Sequence, residues 1–149
     1  MPEQTAWPAP QLADVISEAL EQVAFVDVFE EAAAGEAVAG ASQCVVAHIE
    51  LHAPWRGTMR MFIPTEDAIA LASDAWGEDV DEEQSRGFLG ELANIVAGQL
   101  LAQSIETDST EIGCPEVESK ADALANLGDW KKFNYDLEGL SMVVALKAA

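Results

Sequence analysis

Two runs, CVVAHIELH (44–52) and WRGTMRMFI (55–63), decide the fold class of this chain. Both are rich in β-branched, aromatic and long apolar residues, and only Ala53-Pro54 separates them. They read as an antiparallel hairpin, with Pro64 ending its second strand. On the N-terminal side, Leu12, Ile16, Leu20 and Val23 recur at helical spacing over residues 11 to 29, while Glu18, Glu21 and Gln22 mostly turn elsewhere. That is an amphipathic helix. Residues 30–42 are rich in Ala and Gly and read as a loop or a frayed helix end. Gly35 and Gly40 are not followed by Lys and Ser or Thr, so the stretch is no phosphate-binding loop.

On the C-terminal side, Thr65 can cap a second, short helix whose first turn holds Glu66 and Asp67, as the positive end of a helix dipole prefers. Gly77 can close it. Asp81 caps a third helix, with Gln84 in the capping-box position, and no proline interrupts the pattern to about Ser104. Residues 107–117, 131–137 and 140–146 read as strands, 118–128 as a loop or short helix, and Glu138-Gly139 as a hairpin turn. Helix, two strands, two helices and three strands, with hairpins dominating, predict an α+β domain: a largely antiparallel sheet with long helices packed on one face.

At 149 residues the chain suits a single domain, 11–149, behind an N-terminal extension, 1–10. Half of its residues are hydrophobic, enough for a core despite 27 acids against 7 bases and a net charge of −20. That charge excludes generic nucleic-acid and anionic-membrane partners, which need clustered Lys and Arg. The N-terminus has no basic start or apolar run and no spanning segment follows, so the expected location is cytoplasmic. Cys44 and Cys114 stand outside any C-x-x-C and are expected to be buried thiols.

Chemistry concentrates in GFLGELANIVAGQL (87–100). At ~100° per residue, Leu89, Leu92, Ala93, Val96 and Leu100 share one side and should face the sheet. Glu91 lies nearly opposite, with Asn94, Gly98 and Gly87 beside it. Glycine within a helix costs ~1 kcal/mol relative to alanine, so Gly87, Gly90 and Gly98 together cost on the order of 3 kcal/mol. Either another helix of the domain crosses closely there, or a partner's surface approaches and the two polar side chains enter its site.

The G-E-L-A-N-I-V-A-G segment resembles the conserved helix of the CheC/CheX/FliY family of chemotaxis phosphatases, in which a Glu and an Asn three residues apart form the active site. The resemblance extends, more loosely, from the first helix through Trp55-Arg56-Gly57, similar to a W-x-G turn into a strand, to the paired C-terminal strands. One such helix looks most like CheX, since CheC carries two copies; Glu18 and Glu21 have no Asn three residues on. Many members carry Asp or Ser where this chain has Gly87, and Pro115 is the candidate for a proline the family carries downstream of the Asn.

The resemblance implies a phosphatase for the aspartyl phosphate of a CheY-like receiver domain, with one site per chain. Asn94 would orient the attacking water, and Glu91 would pair with the receiver's active-site lysine. Gly87, Gly90 and Gly98 would form the docking face. No cofactor is expected on this chain, Mg²⁺ belongs to the receiver, and a homodimer is implied. A non-catalytic receiver-binding or scaffold module of the same fold is the alternative, and a domain that packs this face on its own copy is a third. Exposure of Glu91 and Asn94 side by side would favour the first two.

Other constellations are weaker. His48 and His52 in one strand are ~13 Å apart along its axis, too far to share a metal, and read as core or edge histidines. Asp79, Asp81 and Glu83 begin like a calcium loop, but Gln84 replaces its turn glycine and Gly90 its bidentate Glu. No G-x-S-x-G nucleophile motif occurs. Trp7, Trp55, Trp76 and Trp130 read as packing residues rather than a ligand cage.

Overall fold

The computed structural model describes residues 9–24, 26–53, 56–104, 111–125 and 127–148. Trp7 and Trp55 lie outside the described residues, as does most of the expected N-terminal extension. The elements run α1 (Ala9–Ala24), β1 (Val28–Glu30), α2 (Ala32–Gly40), β2 (Cys44–Ala53), β3 (Gly57–Pro64), α3 (Thr65–Trp76) and α4 (Glu82–Ser104). Then follow β4 (Glu111–Ile112), β5 (Glu116–Lys120), β6 (Lys131–Leu137) and β7 (Leu140–Ala148). The described strands form one antiparallel sheet in the order β1-β6-β7-β3-β2, with β4 and β5 both pairing the outer side of β2.

The expected hairpin is present, with Cys44 opposite Pro64 and Leu51 opposite Gly57. Its apolar runs are continuous because both faces are covered. Val45, Ala47, Ile49, Met59, Met61 and Ile63 join the core beneath the long helices α1, α3 and α4. Val46 and Phe62 point the other way, into a smaller cluster with Val38, Ala123 and Leu127. The α+β architecture stands, with one addition on that second face.

The addition is α2, where a loop or frayed end was expected. Ala34 and Val38 bury one side of it, and Gly35 lets its backbone approach β6: a Cβ there would lie 2.7 Å from Asn134 Oδ1. Small residues that read as loop composition are here a close-packing surface. The first helix also stops five residues before its expected end at Phe29, because β1 pairs with Tyr135–Leu137 of β6. Two carboxylates receive the chain as it turns: Glu138 accepts from Asp27 N–H at 2.8 Å and Glu21 from Val28 N–H at 3.3 Å. Helical spacing in α1 carries no information about that long-range pairing.

Thr65 does not cap α3. Pro64 occupies the cap position, Thr65 is the first helical residue, and its hydroxyl is buried with no partner among the described residues. Gly77 does close the helix, with φ of 71° and its N–H on Ser73 O at 2.8 Å. The Asp81–Gln84 capping box forms in both directions, at 2.8 and 2.9 Å.

Of the expected strand 107–117, the described residues 111–117 hold β4 and the start of β5 rather than one strand: Gly113, Cys114 and Pro115 interrupt them, although Gly113 N–H still reaches Glu50 O at 2.8 Å. Residues 118–120 extend β5 instead of starting a loop or short helix. Glu138 and Gly139 have φ of 53° and 98°, the left-handed pair of a tight hairpin. Cys44 is buried as expected, whereas Cys114, in the break, is exposed.

Tyr135 is fully buried in β6 and its hydroxyl donates to Ala13 O of α1 at 2.9 Å, joining the first helix to the sheet. Tyr135→Phe is expected to lower stability by about 1 kcal/mol, read as a reduced urea midpoint with an unchanged slope. Burial, then the nearby Asp67, pushes the Cys44 thiol up to about 11 from 9.0, so the folded state favours the neutral thiol. Its contribution is intact below pH 9 and declines as pH rises towards 11. A disulfide reagent at pH 8 should therefore titrate one thiol per folded chain quickly, and none in Cys114→Ser.

Candidate active site

The capping box starts α4, and Glu82 and Glu83 occupy its first turn. Arg86 Nη1 donates to the Glu82 carboxylate at 3.0 Å and to Ser119 Oγ at 3.2 Å, while Ser119 donates to the same carboxylate oxygen at 2.6 Å. This three-residue clasp ties the N-terminal half of α4 to β5. Leu89, Leu92, Ala93, Val96 and Leu100 are each at most 1% exposed and enter the main core, as the periodicity predicts. Their burial sets the rotation of the helix and thereby turns Glu91 outward.

Glu91 and Asn94 are both exposed, ~4.5 Å apart along the axis by helical rise. The three glycines divide. A Cβ at Gly87 or Gly98 would meet nothing within 4 Å, so among the described residues nothing compensates for the absence of a side chain there. Gly90 is buried, and its Cβ would lie 3.2 Å from Val117 Cγ2 and 3.9 Å from Pro115 Cγ. Close packing within the chain explains Gly90. It does not explain Gly87 or Gly98.

That packing forms one edge of an open groove of about 660 Å³ between α4 and the chain entering β5. Glu91, Asn94, Gly87 and Gly90 line it from the helix, Pro115 from the break before β5 and Val117 from the strand itself. Pro115, remote in sequence, thus stands across the groove from the Glu-Asn pair. Glu83 and Arg86 complete the lining. The groove offers carboxylate, carboxamide and apolar surface, and its one cation is already engaged by Glu82. It can hydrogen-bond a water or a partner's cation; it has no nucleophile and no cradle for a free phosphate.

The other candidates do not converge here. His48 is on β2, with Nε2 on Glu50 at 2.8 Å, and His52 is exposed further along the same strand. Among the described residues, no three His, Cys, Asp or Glu are grouped to hold a metal. Trp76 stacks edge-on with Phe88 at 5.6 Å, and Trp130 packs on the smaller core cluster beneath Arg60.

The sequence model of the family described as chemotaxis phosphatase CheX matches residues 45–137, more than half of the chain. The chain belongs to the CheX family. Among curated proteins no sequence matches it. Several solved structures share its fold. Chemotaxis protein CheX from Vibrio vulnificus aligns with a TM-score of 0.71 at 17% identity over 98% of both chains. The CheX–CheY–BeF3–Mg²⁺ complex from Borrelia burgdorferi aligns with 0.64 at 16% identity, over 95% of this chain and 97% of that one. FliY from Thermotoga maritima aligns with 0.61 at 17% identity, over 100% and 91%. Among the described residues no helix is long and apolar enough to cross a membrane.

Three groove or rim residues escaped the sequence reading of this CheX-family chain. Ile95 is 39% exposed on the turn beside Glu91 and Asn94; an apolar residue on the polar side of the period was the available signal. Arg86, the only base in α4, was visible as such, but its partner Ser119 was not. Val117 depends on strand pairing that the sequence does not encode locally.

Because Gly87 and Gly98 sit in a helix with open space at their Cβ positions, Gly87→Ala and Gly98→Ala should each stabilise the isolated chain by about 0.5–1 kcal/mol. Denaturant titration of each variant checks this. A loss of stability at either would mean the glycine serves the fold itself.

Proposed function

We propose that this chain hydrolyses the aspartyl phosphate of a CheY-like receiver domain, using Asn94 and Glu91 on α4. The observation that carries the reading is their joint exposure, one turn apart, on a helix face that Gly87 and Gly98 leave bare. Membership of the chemotaxis phosphatase CheX family supports it, as does the complex that the Borrelia relative forms with CheY, BeF3 and Mg²⁺. The family resemblance also implies a homodimer.

An aspartyl phosphate is a reactive acyl phosphate. Its hydrolysis needs a water in line with phosphorus: the water oxygen bonds to phosphorus, the bond from phosphorus to the aspartyl oxygen breaks, and carboxylate and inorganic phosphate leave. The Asn94 carboxamide both donates and accepts, so it can align the water without acting as a strong base. The Glu91 carboxylate is suited to the receiver's lysine ammonium, fixing the register of the docked helix. Gly87 and Gly98 admit the receiver's backbone close to α4. Mg²⁺ would come with the receiver, since Glu83 and Glu91 are ~12 Å apart along the helix, too far to share an ion.

Asn94→Ala is expected to retain receiver binding while losing nearly all acceleration of phosphoryl loss, and Glu91→Ala to weaken binding as well. The measurement is the lifetime of a receiver's phosphoryl-aspartate with each variant, alongside a binding titration. Equal acceleration by wild type and both variants would sink the proposal. Binding by wild type with no acceleration would favour the receiver-binding module instead. Gly98→Leu should obstruct docking while leaving the melting transition near its wild-type position.

A further inference from the structure

A second pocket, of about 360 Å³, lies on the opposite side of β5 from the groove. Alternation along β5 sends Val117 and Ser119 towards α4 and Glu116, Glu118 and Lys120 to the other face of the sheet. There the register sets Glu116 beside His48, which has Arg60 on its other side, and Glu118 beside Val46, which has Phe62 on its other side, with Lys120 at the far end beside Cys44. The lining therefore combines two cations, Arg60 and Lys120, and two carboxylates, Glu116 and Glu118, above the buried Val46 and Phe62 of the smaller core cluster.

Arg60 is held in place. Its Nε donates to His48 Nδ1 at 2.9 Å, which leaves His48 Nε2 to donate to the Glu50 carboxylate at 2.8 Å, and the guanidinium carbon lies 4.7 Å from the Trp130 ring centroid. Among the described residues these contacts use Nε and one face of the guanidinium and leave its paired Nη groups available for a carboxylate fork. Among the described residues, no ion pair within 4 Å joins Arg60 or Lys120 to Glu116 or Glu118. Both signs of charge thus line one pocket without direct ion pairing between them.

A simple anion entering this pocket meets two carboxylates, and a simple cation meets a guanidinium and an ammonium. A small molecule that carries both charges satisfies both sets, and a pocket of this volume holds one residue-sized ligand. We infer that this pocket binds a free α-amino acid, its carboxylate on Arg60 and its ammonium on the β5 carboxylates. The inference is independent of the phosphatase reading, since no groove residue other than the shared Val117 takes part.

Calorimetric titration of the full chain with L-leucine, L-phenylalanine, 4-methylpentanoate and 3-methylbutylamine tests it. At least one of the two amino acids should bind, and at least tenfold more tightly than either single-charge analogue. Arg60→Met and Glu118→Gln should each weaken binding at least tenfold, and Glu91→Ala should leave it unchanged. Glu118 is exposed on an edge strand, so its variant folds even if loss of the Arg60–Trp130 stack disturbs the sheet. Failure of both amino acids to bind at millimolar concentration, undiminished binding by Glu118→Gln, or equal affinity for 4-methylpentanoate would overturn the inference.

Discussion

The burial of one side of α4 against the sheet is the constraint on which the rest depends. Five apolar side chains at helical spacing reach zero or near-zero exposure there, and full burial of a large aliphatic side chain contributes ~1.5–3 kcal/mol. Turning the helix by one residue would lift several of them into water and carry Glu91 around towards the flanking elements. The rotation is therefore stiff. The outward direction of Glu91 and Asn94 is a by-product of packing on the opposite side, and no loop geometry has to be maintained to present them.

The same helix explains why three similar glycines have different roles. Gly90 meets Val117 and Pro115 at packing distance, so it lets β5 and the preceding break close on α4 and bring Pro115 to the groove. The clasp of Arg86, Glu82 and Ser119 holds that approach from the neighbouring turn. Gly87 and Gly98 have open space around them. In the proposed reaction that space belongs to the receiver, and the charge of −20 ceases to be an objection to phosphate chemistry. A chain that contributes an amide and a carboxylate needs no basic cradle when its partner brings the phosphoryl group, the lysine and Mg²⁺.

Much of this was legible from residues alone where local physics decides. The 44–63 hairpin, the Asp81–Gln84 capping box, the Gly77 stop and the Glu138-Gly139 turn each depend on residues close in sequence, and each is present. The misread stretches share a cause. Residues 26–30 leave the helix because β6 offers an edge to pair with, and 32–40 become a helix because a second sheet face needs covering. Thr65 fails as a cap because Pro64 already holds that position, and Cys114 is exposed because the edge strand breaks around it.

By itself, then, the sequence determined the class of fold, the amphipathic rotation of α4 and the Glu91-Asn94 pairing on its outer side, since a 3.6-residue period sets which side chains share a face. Only the tertiary structure decided that Gly90 packs inward while Gly87 and Gly98 stay bare, that Pro115 and Val117 complete the groove, and that Arg60, Glu116, Glu118 and Lys120 line one pocket behind it. Those juxtapositions depend on strand pairing between distant segments, whose register is selected by burial across the whole sheet rather than by any local run of residues.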